Sequence, residues 1–216
     1  MKLNFEYEKE KDIWCILNKG KDSKHSQKPT SQYEKLIEKY GDNPNNKDVS
    51  DFIGSYIQEK NVSIEEYLDY YQKDWDSFSD AFHQRAQEIF GAPLPKNITA
   101  YLTINSRCPY SIEEDYFFVT FPTYDYIARK TAMHELWHFY TWYGLGTDQV
   151  QILGEEKYGN LKEALTVLIN VICKDVLPEG VADAGYSQHK ELREKILDYW
   201  SKNPNIKDLW EYLKIQ

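Results

Sequence analysis

The chain has 216 residues, which is enough for one sizeable hydrophobic core or two small lobes. Its 35 acidic and 26 basic residues give a net charge of -9, and this argues against nucleic-acid binding because phosphate contacts need a basic surface. Three cysteines at wide spacing do not form the pattern of a disulfide framework.

The sequence contains no apolar segment that approaches the roughly 18 residues needed to span a bilayer. Its first residues also lack the apolar run of a signal peptide. We therefore expect a cytoplasmic protein that does not act at a membrane, although a secreted protein whose leader has been removed would have the same sequence.

The first part of the chain is predicted to be mainly helical. A short apolar run at 13–17 is interpreted as a strand or a docking segment. Helical spacing of apolar residues then predicts helices over 32–40 and 48–60. Ser63 and Glu66 have the pattern of a capping box, which opens a longer helix over 63–91, in one piece or with a bend near Ser77.

After Pro93 and Pro95 the pattern changes to strands, and then back to helices. Predicted strands cover 98–104 and 116–121, and the predicted helices after them cover 124–143, 147–158, 160–174, 187–200 and 206–213. The fold class is therefore expected to be α+β, mainly helical, with a small mixed or antiparallel sheet before the helix at 124–143. We expect a helical N-terminal region over 1–92 and a core over 93–216, together forming one compact protein.

The helix at 124–143 contains the motif His134-Glu135-Leu136-Trp137-His138. Residues four apart lie on one face of a helix, so His134 and His138 can share one Zn²⁺ ion. Glu135 would then act on the metal-bound water. The motif predicts a catalytic zinc site if the chain supplies a third ligand.

The surroundings of the motif strengthen this prediction. Thr131 stands three residues before His134, and the variable positions carry uncharged residues, as a helix buried on its non-metal side requires. In these features the sequence resembles the zinc metallopeptidases of the zincin type, over roughly residues 97–190. The resemblance implies peptide hydrolysis with Glu135 as the general base.

The third metal ligand distinguishes the zincin classes. A metzincin would need Gly and His at three and six residues after His138, where this chain has Thr141 and Gly144. The gluzincin-like pattern instead takes a Glu, often followed by Ala, from a later apolar helix. Glu163-Ala164 fits this pattern, so the resemblance implies Glu163 as the third ligand.

The residues around Glu163 support this choice independently, because the polar side chains of an otherwise apolar helix fall on one stripe. Three alternatives for the third ligand stay open, namely Glu155, Glu156 and Asp183. The stripe comprises Glu163, Thr166, Asn170 and Lys174.

The resemblance also implies a second donor for the oxyanion of the transition state. His189 and Tyr186 are the candidates, because related enzymes place a His or Tyr downstream of the third ligand. It further implies an edge strand to which a peptide substrate adds, and the strand at 116–121 is the candidate, with a core strand as the alternative.

We therefore expect a small zinc-dependent peptidase, monomeric, that acts on a peptide or protein substrate. The alternative is a non-catalytic binding or regulatory protein with a zincin-like fold. The sequence does not distinguish endopeptidase from exopeptidase action.

Overall fold

The computed structural model describes residues 1–21, 28–123 and 126–215 of the chain. It divides into two compact units, and each is made of two chain segments. The first unit comprises Met1–Trp75 and Pro95–Ala128, and the second comprises Asp76–Leu94 and Arg129–Gln216. This division does not follow a single boundary near residue 92.

The predicted fold class is confirmed, because the chain is mainly helical and has one small mixed sheet. The sheet lies in the first unit and its strand order is β1-β2-β4-β3. β1 is parallel to β2, β2 is parallel to β4, and β3 is antiparallel to β4. The strands are β1 (Lys2–Glu6), β2 (Asn97–Thr103), β3 (Tyr110–Ser111) and β4 (Tyr116–Thr120).

The apolar run at 13–17 is helical, so its interpretation as a strand was wrong. It lies in α1 (Lys9–Lys19), where Asp12, Cys15 and Ile16 are buried at helical spacing and Trp14 is 40% exposed. The N-terminal strand is β1, whose Leu3 and Phe5 are buried in alternation. A run of five apolar residues fits either period, and the burial of one face decided for the helix.

Three more helices follow in the first unit. They are α2 (Ser31–Tyr40), α3 (Asn46–Glu59) and α4 (Ile64–Asp76). The Ser63 hydroxyl accepts a hydrogen bond from the Glu66 backbone N–H at 3.3 Å, as half of the predicted capping box requires. α4 ends at Asp76, close to the predicted bend near Ser77.

The strand proposed to receive a peptide substrate is an interior strand, which corrects the expectation of an edge. β4 lies between β2 and β3 in the sheet. Its residues Phe117, Phe118 and Val119 are fully buried. The alternative, a core strand, is therefore the one observed, because a strand that is apolar on both faces must be covered on both.

The second unit is helical in the residues described. Its helices are α5 (Ser79–Phe90), α6 (Ile127–Leu145), α7 (Gln149–Leu153), α8 (Glu155–Leu165), α9 (Ile169–Ile172), α10 (Lys190–Lys202) and α11 (Ile206–Lys214). α6 begins in the last residues of the first unit. The predicted helix start at Tyr124 lies outside the described residues.

The helix predicted over 160–174 is interrupted. α8 ends at Leu165, a 3-10 turn covers Thr166–Leu168, and α9 follows. The Thr166 hydroxyl lies 2.8 Å from the Glu163 carbonyl oxygen, a side-chain bond that competes with regular helix geometry. The tighter turn therefore begins three residues after Glu163.

Aromatic packing fixes α6 within the second unit. Trp137 and Tyr140 pack against Phe90, with ring centroids 5.1 and 6.0 Å apart, and against Phe82. A Cβ atom at Gly144 would come within 2.7 Å of the Phe90 Cβ, so only glycine allows α6 to approach the end of α5 this closely. One side of α6 is thus anchored through Trp137 and Tyr140, while the two histidines of the motif lie on another face of the helix.

None of the helices in the described ranges is both long and apolar enough to cross a membrane.

Candidate metal centre

The two histidines of the motif meet on α6 as the helical spacing predicts. Their Nε2 atoms lie 3.0 Å apart, and the imidazole planes are nearly perpendicular at 82°. His138 is fully buried, whereas the His134 side chain is 19% exposed. The pair is therefore anchored in the core at one end and accessible to solvent at the other.

Glu163 on α8 completes a group of three. Its Oε2 lies 3.4 Å from His134 Nε2, and its Oε1 lies 3.3 Å from His138 Nε2. The ligand atoms of the three residues lie within 4.8 Å of one another, and the group could hold a metal ion. Glu163 thus occupies the place that the sequence proposed for the third ligand.

Asp183, one of the alternatives for the third ligand, contacts the opposite side of His134. Its Oδ2 accepts from His134 Nδ1 at 2.5 Å, so it faces the ring nitrogen that does not join the group. This arrangement fixes the orientation of the ring and its tautomer. Asp183 therefore positions His134 and is not a member of the group itself.

A buried network holds Asp183 in turn. The Asp183 backbone exchanges two hydrogen bonds with the Asn170 amide, at 2.7 and 2.8 Å. Arg193 on α10 donates to the Asp183 carbonyl oxygen at 2.6 Å and to Thr166 Oγ1 at 2.9 Å. The Thr166 hydroxyl lies 3.1 Å from Asp183 Oδ1 and can donate its proton to this oxygen. The 3-10 turn after α8, together with α9 and α10, thus contributes to the placement of Asp183.

The Asp183 loop depends on a glycine. Gly185 has a φ of +61°, a conformation that other residues rarely adopt. A Cβ atom there would come within 2.4 Å of Arg193 Nη1. The chain therefore needs glycine at this position to pass close to the guanidinium that holds Asp183.

The electrostatics of the histidine pair are asymmetric. Burial alone would lower the pKa of His134, but the neighbouring carboxylates of Asp183 and Glu163 outweigh burial and raise the pKa to about 10. Burial lowers the pKa of His138 to about 3, and the charge of Lys162 acts in the same direction. A proton on the pair therefore resides on His134.

The two glutamates also differ. Burial alone would raise the pKa of Glu163, but the surrounding His138, His134 and Lys162 hold it well below its usual range. Burial raises the pKa of Glu135 to about 7. Glu163 is therefore an anion under all ordinary conditions, whereas Glu135 can accept and release a proton near neutrality.

Two carboxylate oxygens in this region are buried without a hydrogen bond from any described residue, namely Glu135 Oε2 and Glu163 Oε2. Buried acceptors are rarely left unpaired, because the loss of hydration is then uncompensated. Each is an acceptor suited to a group from outside the chain, such as a cation or a water molecule.

The proposed transition-state donors have other contacts. His189 is buried, and its Nε2 lies 3.0 Å from Asn160 Oδ1 on α8. Tyr186 is 42% exposed and its ring packs edge-on against His189. Both residues lie directly before α10, and these contacts give them a structural role there. Their role in the transition state stays a prediction.

The remaining alternatives for the third ligand lie elsewhere on α8. Glu155 and Glu156 are exposed in its first turn and line a surface cavity of about 610 Å³. Of the predicted polar stripe, Glu163, Thr166 and Asn170 converge on the centre. Lys174 is exposed beyond the end of α9.

Two charged residues of the centre were not predicted, Lys162 and Arg193. Both are buried, which is unusual for these residue types. A lysine directly before Glu163 in an otherwise apolar helix was a usable signal for the first. Arg193 lies among charged residues of an amphipathic helix, and nothing in the local pattern distinguishes it.

Comparisons of the chain with protein-family models, with curated proteins and with solved structures found no significant match. The case for a function therefore depends on the geometry of the centre.

Proposed function

We propose that this protein is a zinc-dependent peptidase of the gluzincin-like type, with Glu135 as the general base. The observation that supports it best is the arrangement of His134, His138 and Glu163, whose facing atoms are 3.0–3.4 Å apart. Zn–N and Zn–O bonds of about 2.0–2.2 Å in a tetrahedron separate the ligand atoms by about 3.3 Å. The 3.3 and 3.4 Å distances join different oxygens of Glu163, and one ligand atom from each residue lies within 4.8 Å of the others, so the three residues can close on Zn²⁺ by small side-chain movements.

The composition of the group supports the same assignment. Two imidazoles and one carboxylate are a ligand set of catalytic zinc sites, which keep the fourth position for water. The Asp183–His134 contact adds the carboxylate partner that such histidines usually have. When bound, Zn²⁺ would lower the pKa of a coordinated water molecule and polarise the carbonyl group of the substrate.

The residues of the chain then have separate tasks. His134, His138 and Glu163 hold the ion, and Asp183 orients His134. Glu135, which is only 7% exposed and adjacent to His134, accepts a proton from the attacking water and delivers it to the leaving amine. Glu135, His138 and Glu163 are buried, and the low local dielectric strengthens the electrostatic contacts that they make.

The experiment combines metal analysis with a peptidase assay. We expect about one zinc ion per chain after purification and hydrolysis of members of a fluorogenic peptide library. Glu135→Gln should keep the zinc but lower hydrolysis by about 10²–10⁴-fold, the usual contribution of a general base. Glu156→Gln makes the same chemical change on an exposed part of α8 and should leave both unchanged.

Two results would contradict the proposal at different levels. Wild-type protein that takes up no zinc, even when zinc is added, would rule out the metal centre. Protein that holds zinc but cleaves no peptide would favour the alternative, a non-catalytic binding or regulatory protein.

A further inference from the structure

One buried charge next to the metal group has no task in the reaction described above. Lys162 directly precedes Glu163 on α8 and is 7% exposed. Its Nζ donates a hydrogen bond to Glu163 Oε1 at 2.6 Å. A lysine is rarely buried, because the loss of hydration around the ammonium group is costly and must be offset by contacts.

The contact with Lys162 makes the two oxygens of Glu163 inequivalent. Oε1 is engaged by the ammonium group. Oε2 is buried, has no hydrogen-bond donor among the described residues, and lies 3.4 Å from His134 Nε2. Oε1 also lies 3.3 Å from His138 Nε2, so each oxygen faces one histidine, and Oε2 is the one that has no hydrogen-bond donor among the described residues.

We propose that Lys162 is a positioning residue that makes Glu163 a one-oxygen metal ligand by engaging Oε1 and leaving Oε2 for the ion. A carboxylate with both oxygens free can bind a metal ion through either one or two of them. A second bound oxygen would take the coordination position that a catalytic zinc site keeps for water. This inference rests on the proposed metal centre and adds to it the reason why one position stays open.

The charge of Lys162 allows this role to be distinguished from a purely structural one. An ammonium group beside a cation site repels the ion, so its removal should not weaken metal binding. If Lys162 served only to hold α8 in place, its loss would displace Glu163 and weaken metal binding. The two roles thus predict opposite changes in affinity.

The test uses Co²⁺ in place of zinc, because the visible absorption of Co²⁺ is strong when four ligands surround it and several-fold weaker when five or six do. We compare the wild-type protein with Lys162→Met and Lys162→Arg. Lys157→Met is the matched control, because Lys157 lies on the same helix and its Nζ donates to the Lys214 carbonyl oxygen.

We expect strong absorption from the wild-type protein, Lys162→Arg and Lys157→Met. Lys162→Met should bind Co²⁺ at least as tightly as the wild-type protein but absorb several-fold less. An unchanged spectrum, or weaker binding, in Lys162→Met would overturn the role of Lys162 while leaving the metal centre intact. A wild-type protein that binds no Co²⁺ would overturn both.

A second measurement needs no variant and covers the case in which Lys162→Met does not fold. X-ray absorption at the zinc edge of the loaded wild-type protein should show a carboxylate bound through one oxygen. A carboxylate bound through two oxygens in the wild-type protein would overturn the proposal.

Discussion

Among the described residues each compact unit buries one aspartate, and the two aspartates have opposite electrostatic surroundings. In the first unit Asp12 on α1 is fully buried, and its Oδ1 accepts from Thr103 Oγ1 at 2.6 Å and from the Ile104 backbone at 3.2 Å. No cation of the described chain pairs with it. Burial raises the pKa of Asp12 to about 7, although the bonds from Thr103 and Ile104 act against the rise.

In the second unit Asp183 is buried to a similar extent but has two cationic neighbours. Burial alone would raise the pKa of Asp183, yet His134 and Arg193 hold it below its usual range. Asp12 can therefore keep a proton and still link α1 to the end of β2, which is a structural task. Asp183 stays an anion between His134 and Arg193, and its Oδ2 fixes the orientation and the tautomer of His134.

The comparison indicates how to recognise a buried carboxylate that serves a site. Burial by itself favours the protonated form, so a buried aspartate that stays charged needs cationic partners, and these cost free energy to bury. The second unit buries Lys162, Arg193, Glu163 and Asp183 around two histidines. A concentration of this kind is typical of a functional centre, whereas the isolated Asp12 is not.

The largest expected effect is the loss of the centre itself. Glu163→Ala removes the carboxylate that faces both histidines, so zinc affinity should fall by more than the roughly 10–100-fold typical of changes behind the ligands. Isothermal titration with zinc measures this fall. Glu156→Ala on the same helix is the control and should bind zinc like the wild-type protein.

The next effect is on stability and concerns Asp12. Its folded pKa of about 7 exceeds the unfolded value of 3.8, so the folded state binds the extra proton and stability falls as pH rises between these values. From pH 5 to pH 8 the wild-type protein should lose about 3 kcal/mol that Asp12→Asn does not lose. Urea unfolding at both pH values, with a chelator present, measures the difference between the two proteins. An equal pH dependence of the two proteins would show that Asp12 is not protonated in the folded state.

The corresponding substitution at Asp183 should change the zinc affinity. It should not change the pH dependence of stability in the way that Asp12→Asn does, because Asp183 carries no proton in the folded protein. Asp183→Asn removes the anion that accepts from His134 Nδ1 and should weaken zinc binding by about 10–100-fold. Asp12→Asn is the control and should bind zinc unchanged. A wild-type affinity in Asp183→Asn would contradict the positioning role of Asp183.

The smallest effects come from the two threonines whose hydroxyls approach the aspartates. Thr103→Val removes a donor to Asp12 and an acceptor for the Asn105 N–H, so the unfolding free energy should fall by about 1–3 kcal/mol without a change in zinc affinity. Thr166→Val should weaken zinc binding by less than about tenfold, because Arg193 and Asn170 still hold Asp183. Urea unfolding and zinc titration of both variants test this contrast. A larger loss of zinc affinity in Thr103→Val than in Thr166→Val would contradict the assignment of a structural role to Asp12 and a metal-site role to Asp183.

Much of the secondary structure could be predicted from local patterns. The strands β2 and β4 and the motif helix α6 fall within a few residues of their predicted positions. The predicted boundary between the helices at 147–158 and 160–174 was wrong, because α8 runs through it. The prediction of a strand at 13–17 was wrong because five consecutive apolar residues fit both a helix and a strand. The break at Thr166 was not predicted, because the apolar spacing does not change there. The local difference is the hydrogen bond between the Thr166 hydroxyl and the Glu163 carbonyl oxygen.

The sequence by itself determined which residues of the motif share a face, because spacing along one helix fixes that for His134 and His138. The pairing with Glu163 followed from a resemblance and agrees with the geometry. The division of tasks among Asp183, Lys162 and Arg193 was decided by the tertiary structure alone. Whether a carboxylate joins the metal group, or orients a histidine behind it, depends on which atoms meet across helices far apart in the chain, and local periodicity carries no information on that.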